Sequence, residues 1–189
     1  PGGQGGPLFP CFFEQDDEPL RNDLGLVDLK TGKQTTMKEV QSFLFGASGD
    51  YLSMRRYATE EGGSTASVVV RDLQKGTDVS FGNVASSIWQ DEGSLLAFIV
   101  HADEDVGNGV QLYDARSGVV RMLDGDATKY TNLTWRKDAA DLAVLRSFTD
   151  DVHTDTNHVA LAWRGLDNAG QLSILEPVAS SDIPSDWRI

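Results

Sequence analysis

The chain has 189 residues, 40% hydrophobic and 24% charged, which suits one sizeable core or two small ones and calls for no disordered class. Its 16 Lys and Arg against 29 Asp and Glu leave a formal net charge of −13 with no basic stripe, which argues against nucleic acid and anionic membrane surfaces as partners. No apolar run approaches the ~18–20 residues of a membrane-spanning helix, and the start, PGGQGGPLFP, has neither the basic nor the apolar region of a signal peptide.

In chain order, the Gly/Pro-rich start is followed by LFPCFF (Leu8 to Phe13), LGLVDLKTG (Leu24 to Gly32) and KQTTMKEV (Lys33 to Val40). Each is a short apolar or β-branched segment bounded by turn residues, and each is a predicted strand. The single Cys11 excludes an internal disulfide framework, fits a periplasmic or a cytoplasmic chain alike, and reads as a small apolar strand residue beside Phe12 and Phe13. FLFGASGDYLSM (Phe43 to Met54) then opens a pattern that returns as SIWQDEGSLLAF and LTWRKDAADLAV. With Phe45, Trp89 and Trp135 in register, Gly49, Gly93 and Ala139 follow four residues later, and Leu52, Leu96 and Leu142 seven residues later. Each copy is a predicted strand, polar turn and strand.

A second mark accompanies the first. LGLVDLKTG, VVVRDLQKG (Val68 to Gly76) and VQLYDARSG (Val110 to Gly118) share alternating apolar positions, an Asp (Asp28, Asp72, Asp114) and a Gly four residues after it. Gly suits a turn where φ is positive, so this segment is a third strand turning into a fourth, such as TDVSF or VVRML. VALAWRGLD (Val159 to Asp167) takes the same place without the Asp, and a last strand is predicted near GQLSILEP.

The unit repeats at 44 residues from 45 to 89, at 46 from 89 to 135 and at 42 from 72 to 114, and it holds four strands, A to D, with no apolar spacing of helical type. Such a unit is a propeller blade. The predicted fold is all-β, a portion of a β-propeller with about three complete four-stranded antiparallel blades at 42–85, 86–128 and 129–178. Residues 1–41 form a partial blade without its A strand, and 179–189 form a linker towards a next blade, all in one incomplete propeller domain. Phe12, Phe13, Phe43, Phe45 and Trp89 belong to faces that a neighbouring blade must cover, at ~25 cal/mol for each Å² of apolar area removed from water. The expected cover is the remainder of the parent propeller or another copy of the chain.

The succession of aromatic, polar turn, Gly, DYLSM or SLLAF, then V-V-x-D-L-x-x-G resembles the repeats of TolB-like (WD40-like) propellers over residues 25–177. With its long acidic interruptions and the closing SSDIPSDWRI, it is most similar to the propeller that precedes the catalytic domain of prolyl-oligopeptidase-type (family S9) serine peptidases. The resemblance implies an accessory domain that covers an α/β-hydrolase active site and filters peptide substrates by size, with the hydrolase domain as partner. It places the family's catalytic Ser, Asp and His outside this chain. The alternative is a stand-alone TolB-like scaffold for protein–protein interaction.

No catalytic residue is expected within the chain. The nearest approach to a G-x-S-x-G nucleophile elbow, GASGD at Gly46 to Asp50, has Asp50 in place of the last Gly and falls on a predicted hairpin turn, so Ser48 reads as a turn residue. There is no Walker loop, no C-x-x-C and no H-E-x-x-H, and no cofactor is expected.

The predicted B–C loops, EQDDEPLRND, TEEGGS, HADEDVGN and TDDVHTDTNH, are all acidic, and in a propeller they emerge on one face. Asp16, Asp17, Glu60, Glu61, Asp103, Glu104, Asp105, Asp150 and Asp151 would form a rim of negative potential, read either as solvated hairpin tips or as a docking surface for basic peptides, a basic protein or a neighbouring domain. Asp151, His153, Asp155 and His158 offer oxygen and imidazole ligands but lack the spacing of an EF-hand or a zinc motif, so they are minor metal candidates and no metal is expected. His101 reads as a strand-end residue. Trp89 and Trp135 are expected to pack between blades, whereas Trp163 and Trp187 receive no role. Asn132-Leu-Thr matches a glycosylation acceptor by chance, inside a predicted strand.

Overall fold

A computed structural model describes residues 20–58, 66–102, 105–150, 153–168 and 170–175. The predicted first strand, Leu8 to Phe13, and the predicted linker 179–189 lie outside the described residues. Among the described residues there are thirteen strands and no helix. The first two, β1 (Leu24–Val27) and β2 (Gln34–Met37), form a two-stranded sheet. Seven more follow in sequence order in one sheet: β3 (Val40–Phe45), β4 (Tyr51–Arg56), β5 (Ala66–Asp72), β6 (Asp78–Trp89), β7 (Leu95–Val100), β8 (Gly109–Asp114) and β9 (Val119–Gly125). The last four, β10 (Tyr130–Trp135), β11 (Leu142–Asp150), β12 (His153–Arg164) and β13 (Gln171–Leu175), form a third sheet. Every ladder is antiparallel and joins neighbours in sequence.

The seven-stranded sheet departs from the predicted separation of one unit's fourth strand from the next unit's first. Both are parts of the twelve-residue β6, whose first half pairs with β5 from Arg71↔Asp78 to Ala66↔Val84 and whose second half pairs with β7 from Val84↔Val100 to Trp89↔Leu96. The transfer occurs at Gly82 and Asn83, where Asn83 takes a left-handed φ of 56° that Asn tolerates better than most residues, and its carbonyl accepts the His101 N–H at 2.9 Å. The chain therefore changes partner without leaving the strand.

The turn after each third strand explains why Asp and Gly recur four residues apart. The amides of Gly32, Gly76 and Gly118 donate to the carbonyls of Asp28, Asp72 and Asp114 at 2.7, 2.8 and 2.8 Å, with the glycines at φ of 71°, 71° and 74°. The Asp carboxylates cap the inside of the turns. Asp28 Oδ1 accepts the Lys30 amide at 2.8 Å, Asp72 Oδ1 the Gln74 and Lys75 amides at 2.9 Å, and Asp114 Oδ1 the Arg116 amide at 3.0 Å. In the last unit, the pairing of Leu142 with Trp163, as of Leu96 with Tyr113, puts Arg164 at the Asp place. Asp141, just ahead of β11, substitutes for it, its Oδ1 accepting the Gly165 amide at 3.0 Å.

Two further details differ from the sequence reading. Gly49 and Gly93 are left-handed in their hairpin turns, but in the third hairpin the left-handed residue is Asp138 (φ 55°), one before Ala139, because Asp accepts that conformation more readily than Ala. The predicted acidic loop 149–158 is largely strand: β11 runs to Asp150 and β12 starts at His153, with Thr149↔Thr156 and Asp150↔His153 in the ladder. Its threonines suit a pleated surface and extend the hairpin.

The core lies between successive groups of strands. Met37, Val40, Leu52, Met54 and Val69 are buried together, with Leu24 and Leu26 of β1 packed against them. Val68, Val70, Trp89, Leu96, Phe98 and Tyr113 form the next cluster. Leu95, Ala97, Ile99, Val110, Leu112, Trp135, Leu142, Val144, Leu161 and Trp163 belong to a third. β7 thus sends Leu96 and Phe98 to one layer and Leu95, Ala97 and Ile99 to the other, which is why LLAFIV is a continuous apolar run rather than an alternating one. Arg121 on β9 adds a polar tie to the third sheet by donating to the carbonyls of Leu166 and Asn168.

Candidate functional site

The described part of the predicted loop after β7, with Asp105, lies at the end of the sheets where the second strand of a unit meets the connection leading out of the preceding unit. Three contacts mark that end: Arg56 Nη1 donates to Lys38 O at 2.9 Å, the His101 amide to Asn83 O at 2.9 Å and the Ser147 amide to Lys129 O at 2.8 Å. Of the predicted rim residues, Asp16, Asp17, Glu60, Glu61, Asp103, Glu104 and Asp151 lie outside the described residues. Asp105 is exposed, at φ 56°, and its Oδ1 accepts the Asn108 amide side chain at 3.0 Å. Asp150 closes β11 opposite His153.

Asn108 organises this loop from within. It is 2% exposed, its Oδ1 accepts the Ala102 amide at 2.7 Å, and its Nδ2 donates to Asp105 Oδ1 and, at 2.9 Å, to Thr128 O. A buried amide that uses both its ends fixes the loop after β7 to the connection between β9 and β10.

Beside it stands a charged group that sequence reasoning missed. The Tyr130 hydroxyl donates to Asp124 Oδ2 at 2.7 Å, and Arg146 Nη1 lies 3.1 Å from the same oxygen and 3.6 Å from Asp126 Oδ2. Burial first, and then the Asp124 carboxylate, push the Tyr130 phenol well above its ordinary value, so it stays protonated as the donor. One guanidinium against two carboxylates leaves the cluster net negative. The signal was present in DGDATKY (Asp124 to Tyr130), an acidic connection at the same end as the B–C loops, but it fell outside the loops from which the rim was drawn.

Three of the four minor metal candidates lie along β12. His153 and Asp155 lie in β12 near its start, His158 pairs with Ser147 further along the ladder, and Asp151 lies outside the described residues. Among the described residues no three His, Cys, Asp or Glu side chains come close enough to hold a metal ion.

At the opposite end, GASGD closes the β3–β4 hairpin. The Gly49 amide donates to Gly46 O at 2.9 Å, and Ser48 Oγ accepts the Asp50 amide at 3.2 Å. Ser48, Asp50, Asp91, Glu92 and Arg116 line an open depression of about 490 Å³ whose lining contains no histidine or cysteine. Ser48 Oγ is thus engaged as an acceptor within its own turn.

Trp89 and Trp135 are 5% and 8% exposed and lie between strand groups. The Trp89 ring stacks on Tyr51, centroids 6.3 Å apart, and the Trp135 Nε1 donates to Ile88 O at 3.2 Å. Trp163, which had no role in the sequence reading, is 4% exposed in the third cluster. Asn132 is exposed at φ 56° where the β10–β11 register shifts between Thr131 and Thr134.

No protein-family model matches the chain, and no curated protein matches it in sequence. Among solved structures, the β-propeller domain of the Trilobed protease from Pyrococcus furiosus is similar over 82% of this chain and 48% of that one, with 14% identity and a TM-score of 0.56. The acylaminoacyl peptidase from Pyrococcus horikoshii is similar over 82% of this chain and 28% of that one, with 14% identity and a TM-score of 0.52. The chain spans about half the length of the first and under a third of the second. At this identity the likeness shows the fold, which is that of a β-propeller. Both neighbours are peptidases by name, in line with the S9 resemblance read from the repeats.

Proposed function

We propose that the chain is a non-catalytic β-propeller portion of an S9-type serine peptidase, organised as about three four-stranded blades after a partial one, and that it covers the active site of a hydrolase domain and filters peptides by size. The observation that supports this most is the recurrence of one layout: the aromatic-ended strands closing at Trp89 and Trp135 lean on the unit before them, and an Asp-capped turn follows the third strand at Asp28, Asp72 and Asp114. Counting β6 once for each of its two pairings gives three four-stranded units, β3–β6, β6–β9 and β10–β13. The fold neighbours, a protease propeller and a peptidase, support the choice of parent. The acidic end, with Asp105, Asp124 and Asp126, is the surface we assign to a basic peptide or domain.

The test is on the parent protein. A segment with G-x-S-x-G on a strand-to-helix turn is expected in it, and removal of the propeller is expected to raise hydrolysis of long peptides relative to short ones. A parent without a hydrolase domain would favour the stand-alone interaction scaffold, and unchanged size selectivity would overturn the filtering role.

A further inference from the structure

One layer between units is filled by apolar side chains, and the layer before it is open and polar. Arg55 stands opposite Val68 in the β4–β5 ladder as Ile99 stands opposite Val110 in the β7–β8 ladder, so the two hold the same position in successive units. Ile99 is 1% exposed and belongs to the buried cluster that contains Trp135. Arg55 is only partly buried, and its neighbours differ in the same sense. With Leu52 aligned on Leu96 and Trp89 on Trp135, Ser53 takes the place of Ala97 and Ser87 that of Leu133. An arginine and two serines therefore stand where the next unit has an isoleucine, an alanine and a leucine.

The consequence is an open cleft of about 600 Å³ between β3 and β4 on one side and the second half of β6 on the other. The buried Trp89 and Ser53 line it, as does Leu44, which is 55% exposed. Ser42, the partner of Arg55 across the β3–β4 ladder, adds a hydroxyl, and Ser86 and Ser87 add two more from β6. In a chain with 29 Asp and Glu, none is among the described residues of this lining. The other partly buried arginines are all engaged: Arg56 by the Lys38 carbonyl, Arg71 by Asp78, Arg121 by the Leu166 and Asn168 carbonyls, and Arg146 by Asp124. Among the described residues no hydrogen bond or ion pair takes up the Arg55 guanidinium.

A guanidinium keeps its charge throughout the pH range of a folded protein, and its planar fork of N–H groups matches the two oxygens of a carboxylate. The cleft falls within the ~300–1,000 Å³ of small-ligand sites, which combine apolar walls with a few placed polar groups. We propose that it binds a carboxylate carried on an apolar body. Arg55 donates a forked pair of hydrogen bonds to the carboxylate, the serine hydroxyls of the lining are further donors, and Leu44 and Trp89 pack on the apolar part. The free C-terminus of a short apolar peptide and a small arylalkanoate share this chemistry. The site has no residue in common with the acidic end assigned to a basic partner, and it stands whether or not the parent is a peptidase.

Calorimetric titration of the chain with acetyl-leucyl-phenylalanine, with its C-terminal amide and with phenylbutyrate tests the proposal. At least one of the two acids is expected to bind, and the amide is expected to bind at least about tenfold more weakly than the peptide acid, or not at all, because it lacks the charge that the guanidinium pairs. Whichever acid binds more tightly identifies the source of the carboxylate. Arg55→Ile installs the side chain of the next unit and is expected to weaken binding of that acid at least about tenfold. Ser87→Leu fills the cleft from its other wall, is expected to do the same, and tests the site without touching Arg55. An unchanged urea midpoint in either variant separates loss of binding from loss of fold. No binding of either acid at millimolar concentration, an amide that binds as well as its acid, or acid binding that survives either substitution would overturn the proposal.

Discussion

The Trp89 indole N–H donates to the Ser53 hydroxyl at 2.9 Å, and the same hydroxyl donates to the Leu44 carbonyl at 3.1 Å. The first bond joins β6 to β4 across the layer between two strand groups, and the second ties β4 to β3 within its sheet.

Replacing Trp89 separates packing from bonding. Trp89→Ala is expected to cost about 3–5 kcal/mol, from lost apolar burial and the cavity left behind. Trp89→Phe keeps much of the packing, and Ser53→Ala strands the buried indole N–H, each costing about 1–3 kcal/mol. Urea denaturation of the two single variants and the double variant checks this. A double variant no worse than the poorer single one identifies the bond as the shared loss.

Asp114 carries an acid-sensitive share of stability. Burial raises its carboxyl, but hydrogen bonds from the Ser117 and Ser94 hydroxyls and from the Arg116 and Ser117 amides outweigh it, and the net direction is below the ordinary 3.8. A depressed carboxyl stabilises the fold fully above its unfolded value, and the contribution is lost as pH falls from 3.8 through the folded value. Asp114→Asn is therefore expected to lower stability at neutral pH and to flatten its decline below pH 3.8, measured by denaturant midpoints across that range.

Tyr130 predicts the opposite limb. Its phenol is raised first by burial and then by the Asp124 carboxylate, so its contribution is intact below the ordinary 10.0 and is lost as pH rises towards the folded value. Tyrosinate absorbance is expected to show one of the four tyrosines ionising only as the chain unfolds in alkali. Tyr130→Phe should abolish that late step and cost about 1–2 kcal/mol at neutral pH, through the lost bond to Asp124.

The purified chain is expected to hydrolyse no chromogenic peptide ester or amide. Ser48→Ala tests the one serine in a near-match to an elbow. Turnover in the parent chain that disappears in this variant would show that the β3–β4 turn carries chemistry after all.

Much of this architecture was legible because the repeat has physical causes. Gly32, Gly76 and Gly118 recur because the turn needs a left-handed residue, and Asp28, Asp72 and Asp114 recur because a carboxylate caps it. The aromatics at 89 and 135 share a cause, a bulky side chain filling the gap between layers, whereas Phe45 at the same repeat position is 46% exposed. What escaped the sequence was what does not repeat. Asn83 lets β6 run on where Lys38 and Glu39, held by Asp23, break the chain between β2 and β3. The Asp124–Tyr130–Arg146 cluster joins residues from three strands or connections, and pairing of that kind leaves no mark in local spacing. Of the predicted rim, Asp105 and Asp150 are described, Asp105 as an exposed carboxylate bonded to Asn108 and Asp150 at the end of β11.

The continuity of β6 also bears on how the molecule comes apart. A strand that belongs to two groups cannot be peeled from one without slackening the other, so β3 to β9 behave as a single mechanical block with Gly82 and Asn83 as its spine. Between β9 and β10 the backbone ladder is broken, and that seam is bridged by side chains: Arg121 reaching the Leu166 and Asn168 carbonyls, Tyr130 reaching Asp124, and Trp135 reaching Ile88. The two sides of that seam are held by packing as well, because Ala97, Ile99, Val110 and Leu112 ahead of it share one buried cluster with Trp135, Leu142, Val144 and Leu161 behind it.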